Sequence, residues 1–302
     1  MQLRKRRHRV RRLENERELP QVRGPHRRVD RRPRQDFVQA PGGIGLKNAV
    51  SDSNVITLKG RKFKNAVLVA GLPGIGLVGK LAVDQISRSR KAERVAQLYS
   101  PHFPNQTIAM RNGKLKPFTM RFTHAKLKRG EAVFLKGDLQ PMTVEGQYEV
   151  TASALGYARK IGVKRVIAMA GYAVEKIGKQ PEIYCAASNP KLFRELLKKG
   201  AKRTPVKAIP IVGMAGLLPA LAPAYGLEGA CLLVETNGTK FDARGAKRLV
   251  EFLGGVFGEK FDAKGIDCRV KKIEKAFLEM RPPQQMQPPQ AEVPKGDLSY
   301  IR

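Results

Sequence analysis

NAVLVAGLPGIGLVGK, residues 65–80, decides the fold. Its first six residues, Asn65 to Ala70, form a short unbroken apolar run. That is the pattern of a strand buried on both faces, as in a parallel sheet, and not of one with a wet side. A glycine turn follows, and an amphipathic segment runs from Leu77 to Ser87. Strand, glycine turn and helix in that order predict the opening unit of an α/β protein.

The same alternation continues outward. Apolar runs predict strands at 94–100, 106–110, 116–122 and 131–138. A helix is expected from Val144 to Ile161, because Tyr148, Thr151, Ala152, Leu155 and Ala158 share one stripe and Thr143 can cap its start. Next come a strand at 164–171, an irregular stretch, a helix at 190–199 closed by Gly200, and a strand at 206–212. A small-residue helix at 213–226 leads into a last buried strand at 230–236, then helices at 242–258 and 266–279. Strands alternating with helices predict a mostly parallel mixed sheet covered on both faces. No Pro-rich or charged linker interrupts 60–279, so one domain over 55–280 is expected.

Both ends of the chain read differently. Residues 1–36 hold 14 Lys or Arg against five Asp or Glu, in blocks such as RKRRHRVRR at 4–12. Charges this dense repel and bury little, so 1–54 reads as a disordered basic extension. All but one of those 14 basic residues are arginine, whereas the body prefers lysine. That switch suggests that translation starts further in, near Val50 or Val55; the sharper alternative is a nucleic-acid-binding arm. At the other end RPPQQMQPPQAEVP, 281–294, excludes helix and offers no core. Residues 281–302 are therefore expected to be a flexible tail, partly polyproline, that ends in KGDLSYIR.

Net charge is +32. Outside the extension the lysines are dispersed, which predicts a solvated basic surface and not a groove that tracks phosphates. No apolar run reaches the roughly 18 residues of a membrane span, and a cytoplasmic protein without membrane partners is expected. The three cysteines, Cys185, Cys231 and Cys268, have no metal-ligand spacing and read as reduced, buried thiols.

Chemistry-bearing patterns are few. Gly74, Gly76 and Gly79 match GxGxxG in the strand-to-helix context of a dinucleotide fingerprint, but no carboxylate stands about 20 residues on, where LYSPHF occupies 98–103. With Lys80 the turn also approaches a phosphate-binding loop, yet Leu81 replaces the magnesium-holding hydroxyl. The plainer reading gives the glycines to a tight turn and close helix packing. His102 sits in a strand-exit loop, and neither it nor His124 lies in a metal-ligand spacing. Asp138 and Glu235 end apolar strands, where hydrogen bonding to neighbouring turns is expected. No metal and no cofactor is predicted.

GLPGIGLVGK at 71–80 resembles the proteasome assembly chaperone family in its archaeal branch. GDLQPMTVEGQYEV at 137–150, VKRVIAMAGYAVE at 163–175 and GMAGLLPALAPAYGLEGACLLVETNG at 213–238 carry the resemblance on, over about 60–280. It implies a purine nucleoside phosphorylase-like fold, a three-layer α/β/α sandwich used as a binding scaffold. It also implies homo-oligomers and, as partners, proteasome core-particle subunits, met either during assembly or by docking on the finished particle. Docking members end in a hydrophobic residue, tyrosine and any residue. Here the last three are Tyr300, Ile301 and Arg302, so the tyrosine stands one place early, and these three are the expected protein contacts. The resemblance points to a non-enzyme; the alternative is a nucleotide-binding or ligase-like enzyme using Gly74, Gly76, Gly79 and Lys80.

Overall fold

The computed structural model describes residues 52–238 and 241–279, and the side chains of these up to 275. The strands are β1 (Asn54–Thr57), β2 (Ala66–Gly71), β3 (Glu93–Tyr99), β4 (Thr107–Ala109), β5 (Leu115–Pro117), β6 (Met120–Leu127), β7 (Gly130–Gly137), β8 (Val163–Ala173), β9 (Ile183–Ala187) and β10 (Glu228–Thr236). The helices are α1 (Val78–Ser89), α2 (Val144–Lys160), α3 (Pro190–Lys198), α4 (Met214–Leu221), α5 (Ala243–Phe257) and α6 (Ile266–Glu279).

Eight strands form one sheet in the order β1-β3-β6-β7-β2-β8-β10-β9, and β4 pairs with β5 apart from it. The apolar runs occupy the centre, where β7, β2, β8 and β10 are mutually parallel. Successive side chains there enter opposite layers. Val69, Phe134, Ile167 and Leu232 pack with Leu81 and Ile86 of α1, Leu192 of α3, Leu249 of α5 and Ile266 of α6. Leu68, Phe122, Leu135 and Val166 pack with Val150 and Leu155 of α2 and Met214 and Leu218 of α4. The sheet is thus covered on both faces, giving the three layers expected. Each of these side chains is at most 1% exposed, and burying one stabilises the fold by about 1.5–3 kcal/mol.

Helix ends follow their local chemistry. Thr143 Oγ1 accepts from the Gly146 N–H at 3.0 Å, as expected of the cap of α2. Asn189 and Asp242 cap α3 and α5 in the same way, at 2.8 Å each. Gly258, with φ of +64°, ends α5 in the left-handed conformation that glycine adopts without a Cβ clash.

Several expectations need correction. The sheet is mixed, but its parallel part is confined to the three central pairings; β6–β7 is a tight hairpin, and β1, β3 and β9 add antiparallel edges. The run 116–122 divides between β5 and β6. Residues 206–212 form no strand, since Pro205 and Pro210 withhold ladder hydrogens and the segment runs as a surface loop. The stretch read as irregular contains β9, which pairs antiparallel with β10. Helix 213–226 is α4 followed by a 3-10 turn, Ala222–Tyr225, with Pro223 in its first turn. Cys185 and Cys231 are buried, but Cys268 is exposed. Burial pushes the Cys185 thiol up to about 11 and that of Cys231 up to about 12. The basic blocks at 4–34 and the tail from 281 lie outside the described residues.

Candidate functional site

The glycine elbow lies where β2 delivers the chain to the carboxyl end of the parallel strands, the edge at which open α/β sheets collect ligands. Beyond Gly71 a 3-10 turn, Ile75–Leu77, precedes α1, and the Leu77 N–H donates to the Gly74 carbonyl at 2.9 Å. Gly76 has φ of +63° and Leu77 has φ of +52°. Leucine in that left-handed region costs about 1–2 kcal/mol, so the elbow is held by what packs on it. A Cβ on Gly79 would stand 2.3 Å from the Met169 carbonyl oxygen, and one on Gly76 would stand 2.8 Å from Thr236 Oγ1. Gly171, on the facing strand, would meet the Ile75 carbonyl oxygen at 2.6 Å. The space these glycines leave is filled by the protein itself, which brings α1 hard against β8 and the 3-10 turn against the end of β10. Gly74 differs, because it is exposed and a Cβ there would meet nothing within 4 Å.

Beside the elbow opens a cavity of about 480 Å³. Its walls come from the elbow, the end of β8, the loop before α4 and the first turns of α2 and α4, and none of its lining residues is charged. The loop that failed to form a strand supplies Ile209, Pro210, Ile211 and Val212. Gln140 ties the walls together: its Nε2 donates to the Pro73 carbonyl and its Oε1 accepts from the Met214 N–H at 3.0 Å. Ile75 and Val212 line the cavity and are exposed to water at 48% and 87%. Met142, Val144 and Tyr148 are also exposed, on the loop and helix start that carry the lining residues Gln140 and Gln147. This is a site with apolar walls, an apolar rim and little to move a proton.

Lys80 does not face the cavity. Its Nζ donates to the Gly137 carbonyl at 2.9 Å and lies 3.3 Å from Asp138 Oδ1 and 3.5 Å from Asp84 Oδ2. The structure therefore brings Gly74 and Gly79 to the cavity wall, sets Gly76 beneath the elbow, and sends Lys80 to the carboxylates. Burial alone would raise the Asp138 carboxyl, but Lys80, Arg121 and Lys116 together hold it below its usual range. Glu235 accepts from Tyr184 Oη at 2.6 Å and from the Glu182 N–H at 3.0 Å, the turn bonding expected of it. Burial, then Glu235, pushes the Tyr184 phenol up.

His102 is an anchor. One ring nitrogen lies 2.8 Å from Glu149 Oε2 and the other 3.3 Å from Thr143 Oγ1, while the Ser53 N–H donates to Glu149 Oε1 at 2.7 Å. These bonds pin the start of α2 to the segment before β1. No group of three or more His, Cys, Asp or Glu among the described residues could hold a metal. Tyr300, Ile301 and Arg302 lie outside the described residues. Gln140 and the 209–212 loop were missed in the sequence; the signal available was a glutamine beside Pro141 and an aliphatic run broken by proline.

A model of the PAC2 family matches residues 68–281, the glycine elbow included. The chain belongs to the PAC2 family. It is 30% identical over 246 residues to an uncharacterized protein of Methanocaldococcus jannaschii, covering 79% of this chain and 93% of that one. Among solved structures it resembles Pyrococcus furiosus PbaB, an archaeal proteasome activator, with 28% identity and a TM-score of 0.69, over 76% of this chain and 98% of that chain. It shares its fold with Pyrococcus furiosus PbaA, an archaeal homolog of proteasome-assembly chaperone, with 24% identity and a TM-score of 0.63, over 76% of this chain and 96% of that one. A PAC2 domain with an uncharged cavity is thus the setting for any function.

Proposed function

We propose that this chain is a non-catalytic, protein-binding member of the PAC2 family that works on the proteasome, as an assembly chaperone or as an adaptor docked on the core particle. The observation that supports it best is the likeness to PbaB along 98% of that chain at 28% identity. The character of the site agrees. Phosphoryl transfer is stabilised by cations aimed at the reacting group, and the elbow cavity has no charged residue in its lining. Ile75, Val212, Met142, Val144 and Tyr148 instead expose the kind of apolar surface that another protein covers.

In this reading 55–280 is the scaffold, 1–54 a dispensable extension and 281–302 a tether that carries Tyr300, Ile301 and Arg302 to the core particle. A tether of this composition reaches about 3.1 Å per residue where it is polyproline. Several chains in one cytoplasmic homo-oligomer would present several tails, and effective concentration then turns weak single contacts into firm docking. The test is a pulldown of archaeal core particles by the full chain and by a chain lacking 300–302. Recovery by the first and loss by the second is expected. Equal recovery removes the tail from the mechanism, and no recovery by either removes core-particle docking.

A further inference from the structure

On the α1 side of the sheet a second cluster lies at the end of β7, and none of its side chains lines the uncharged cavity. Lys136 of β7 and Arg121 of β6 stand directly opposite each other in the ladder. Lys136 Nζ donates to Ser87 Oγ at 2.9 Å and lies 3.9 Å from Asp84 Oδ1. Arg269 of α6 reaches Asp84 Oδ2 at 3.4 Å. Arg121 and Lys116 of β5 reach Asp138 Oδ2 at 3.2 and 3.1 Å, and Lys80 joins the two aspartates. Five cations from five elements therefore share two carboxylates. The side chains of Lys80, Lys136 and Arg269 are each only 14% exposed, so water screens the imbalance poorly. The Nε–H groups of Arg121 and Arg269 are out of reach of water and have no acceptor. Burial pushes the Lys136 ammonium down; Asp84 opposes this, while Arg121, Arg88 and Lys80 add to it.

We propose that this cluster is an anion site that takes a compact phosphoryl group, with Arg121, Lys136, Lys116 and Arg269 as its ligands and Lys80 as the link between Asp84 and Asp138. An excess of positive charge held in a partly dry place is stabilised by an anion carrying more than one negative charge. Guanidinium forks match tetrahedral oxyanions, and hydrogen bonds between charged partners are the strong ones. The half-buried setting suits a small anion and not the long open track that a nucleic-acid backbone needs. Lys116, at 40% exposure, is the most exposed of the five cations.

Titration calorimetry and thermal unfolding of the full chain with pyrophosphate, orthophosphate or ATP, against sodium chloride of equal ionic strength, test the site. Pyrophosphate is expected to bind saturably and raise the unfolding temperature beyond the salt control. Arg121→Gln and Lys136→Gln are each expected to weaken binding by about tenfold or more, the loss of one charged hydrogen bond. Lys116→Ala, at the most exposed ligand, is expected to weaken it by less, and Lys164→Ala, on exposed surface, to leave it unchanged. Binding of ATP and the inorganic anions alike, lost together in the variants, assigns the site to the phosphoryl group alone; ATP binding without the others, but still lost in the variants, makes a nucleotide its source. Shifts no larger than those of the salt control, or affinities that Lys116→Ala, Arg121→Gln and Lys136→Gln all leave intact, overturn the proposal.

Discussion

Two glycines of one motif have opposite duties. Gly79→Ala places a Cβ 2.3 Å from the Met169 carbonyl oxygen, so backbone must move, and a loss of about 1–3 kcal/mol or more is expected in denaturant unfolding. Gly74→Ala meets nothing within 4 Å in extended backbone and is expected to be neutral or to stabilise by about 0.5 kcal/mol, by stiffening the unfolded chain. A turn whose every glycine tolerated alanine would contradict the packing role given to the elbow. The spacing of the motif was legible in the sequence; which glycine is needed was not, because that depends on the strand across from it.

His124 offers a second residue-level test. It is 6% exposed, stacks on Phe63 at 4.1 Å between centroids, and lies 3.2 Å from Glu131 Oε1. Burial depresses its pKa; Glu131 opposes this without cancelling it. Below the ordinary histidine range, near 6.5, the unfolded chain thus binds a proton that the folded chain resists. Stability from this group is full above that range and falls as pH drops through it toward the depressed folded value. His124→Gln is expected to flatten that part of the stability-against-pH curve, as followed by unfolding from pH 7.5 down to 5. An unchanged slope would show that other groups set it.

Among the elements, α2 borders the cavity with its first turn, and one side chain, Thr143, caps its start. Thr143→Ala removes the bond to the Gly146 N–H and the contact with His102, and about 1 kcal/mol of unfolding free energy should go with it. Thr143→Ser should keep most of it. This helix and its cap were legible because Thr151, Leu155 and Ala158 recur at helical spacing behind a capping threonine, although Tyr148, expected on the same stripe, is exposed. The edge elements were not. β9 has five residues, and only its pairing with β10 makes it a strand. Residues 206–212 have strand-like aliphatics, but Pro205 and Pro210 break the ladder, and the freed segment became a wall of the cavity.

At the scale of the molecule, the long buried strands gave away the α/β class, since β2, β8 and β10 must be covered on both faces. Sheet order and the antiparallel edges depend on pairings between distant segments, which periodicity does not encode. The cavity and the cation cluster were hidden for the same reason: each is assembled from loops and strands that meet only in the fold. Family membership and the likeness to PbaB support a proteasome-related chaperone role; action through the surface and the carboxyl end is our proposal. Native mass spectrometry of the full chain mixed with archaeal core particles, with and without ATP, tests that most directly. The account predicts a species of core particle plus whole copies of this chain, formed equally well without nucleotide. The chain failing to join the particle, while releasing phosphate from ATP catalytically, would contradict it.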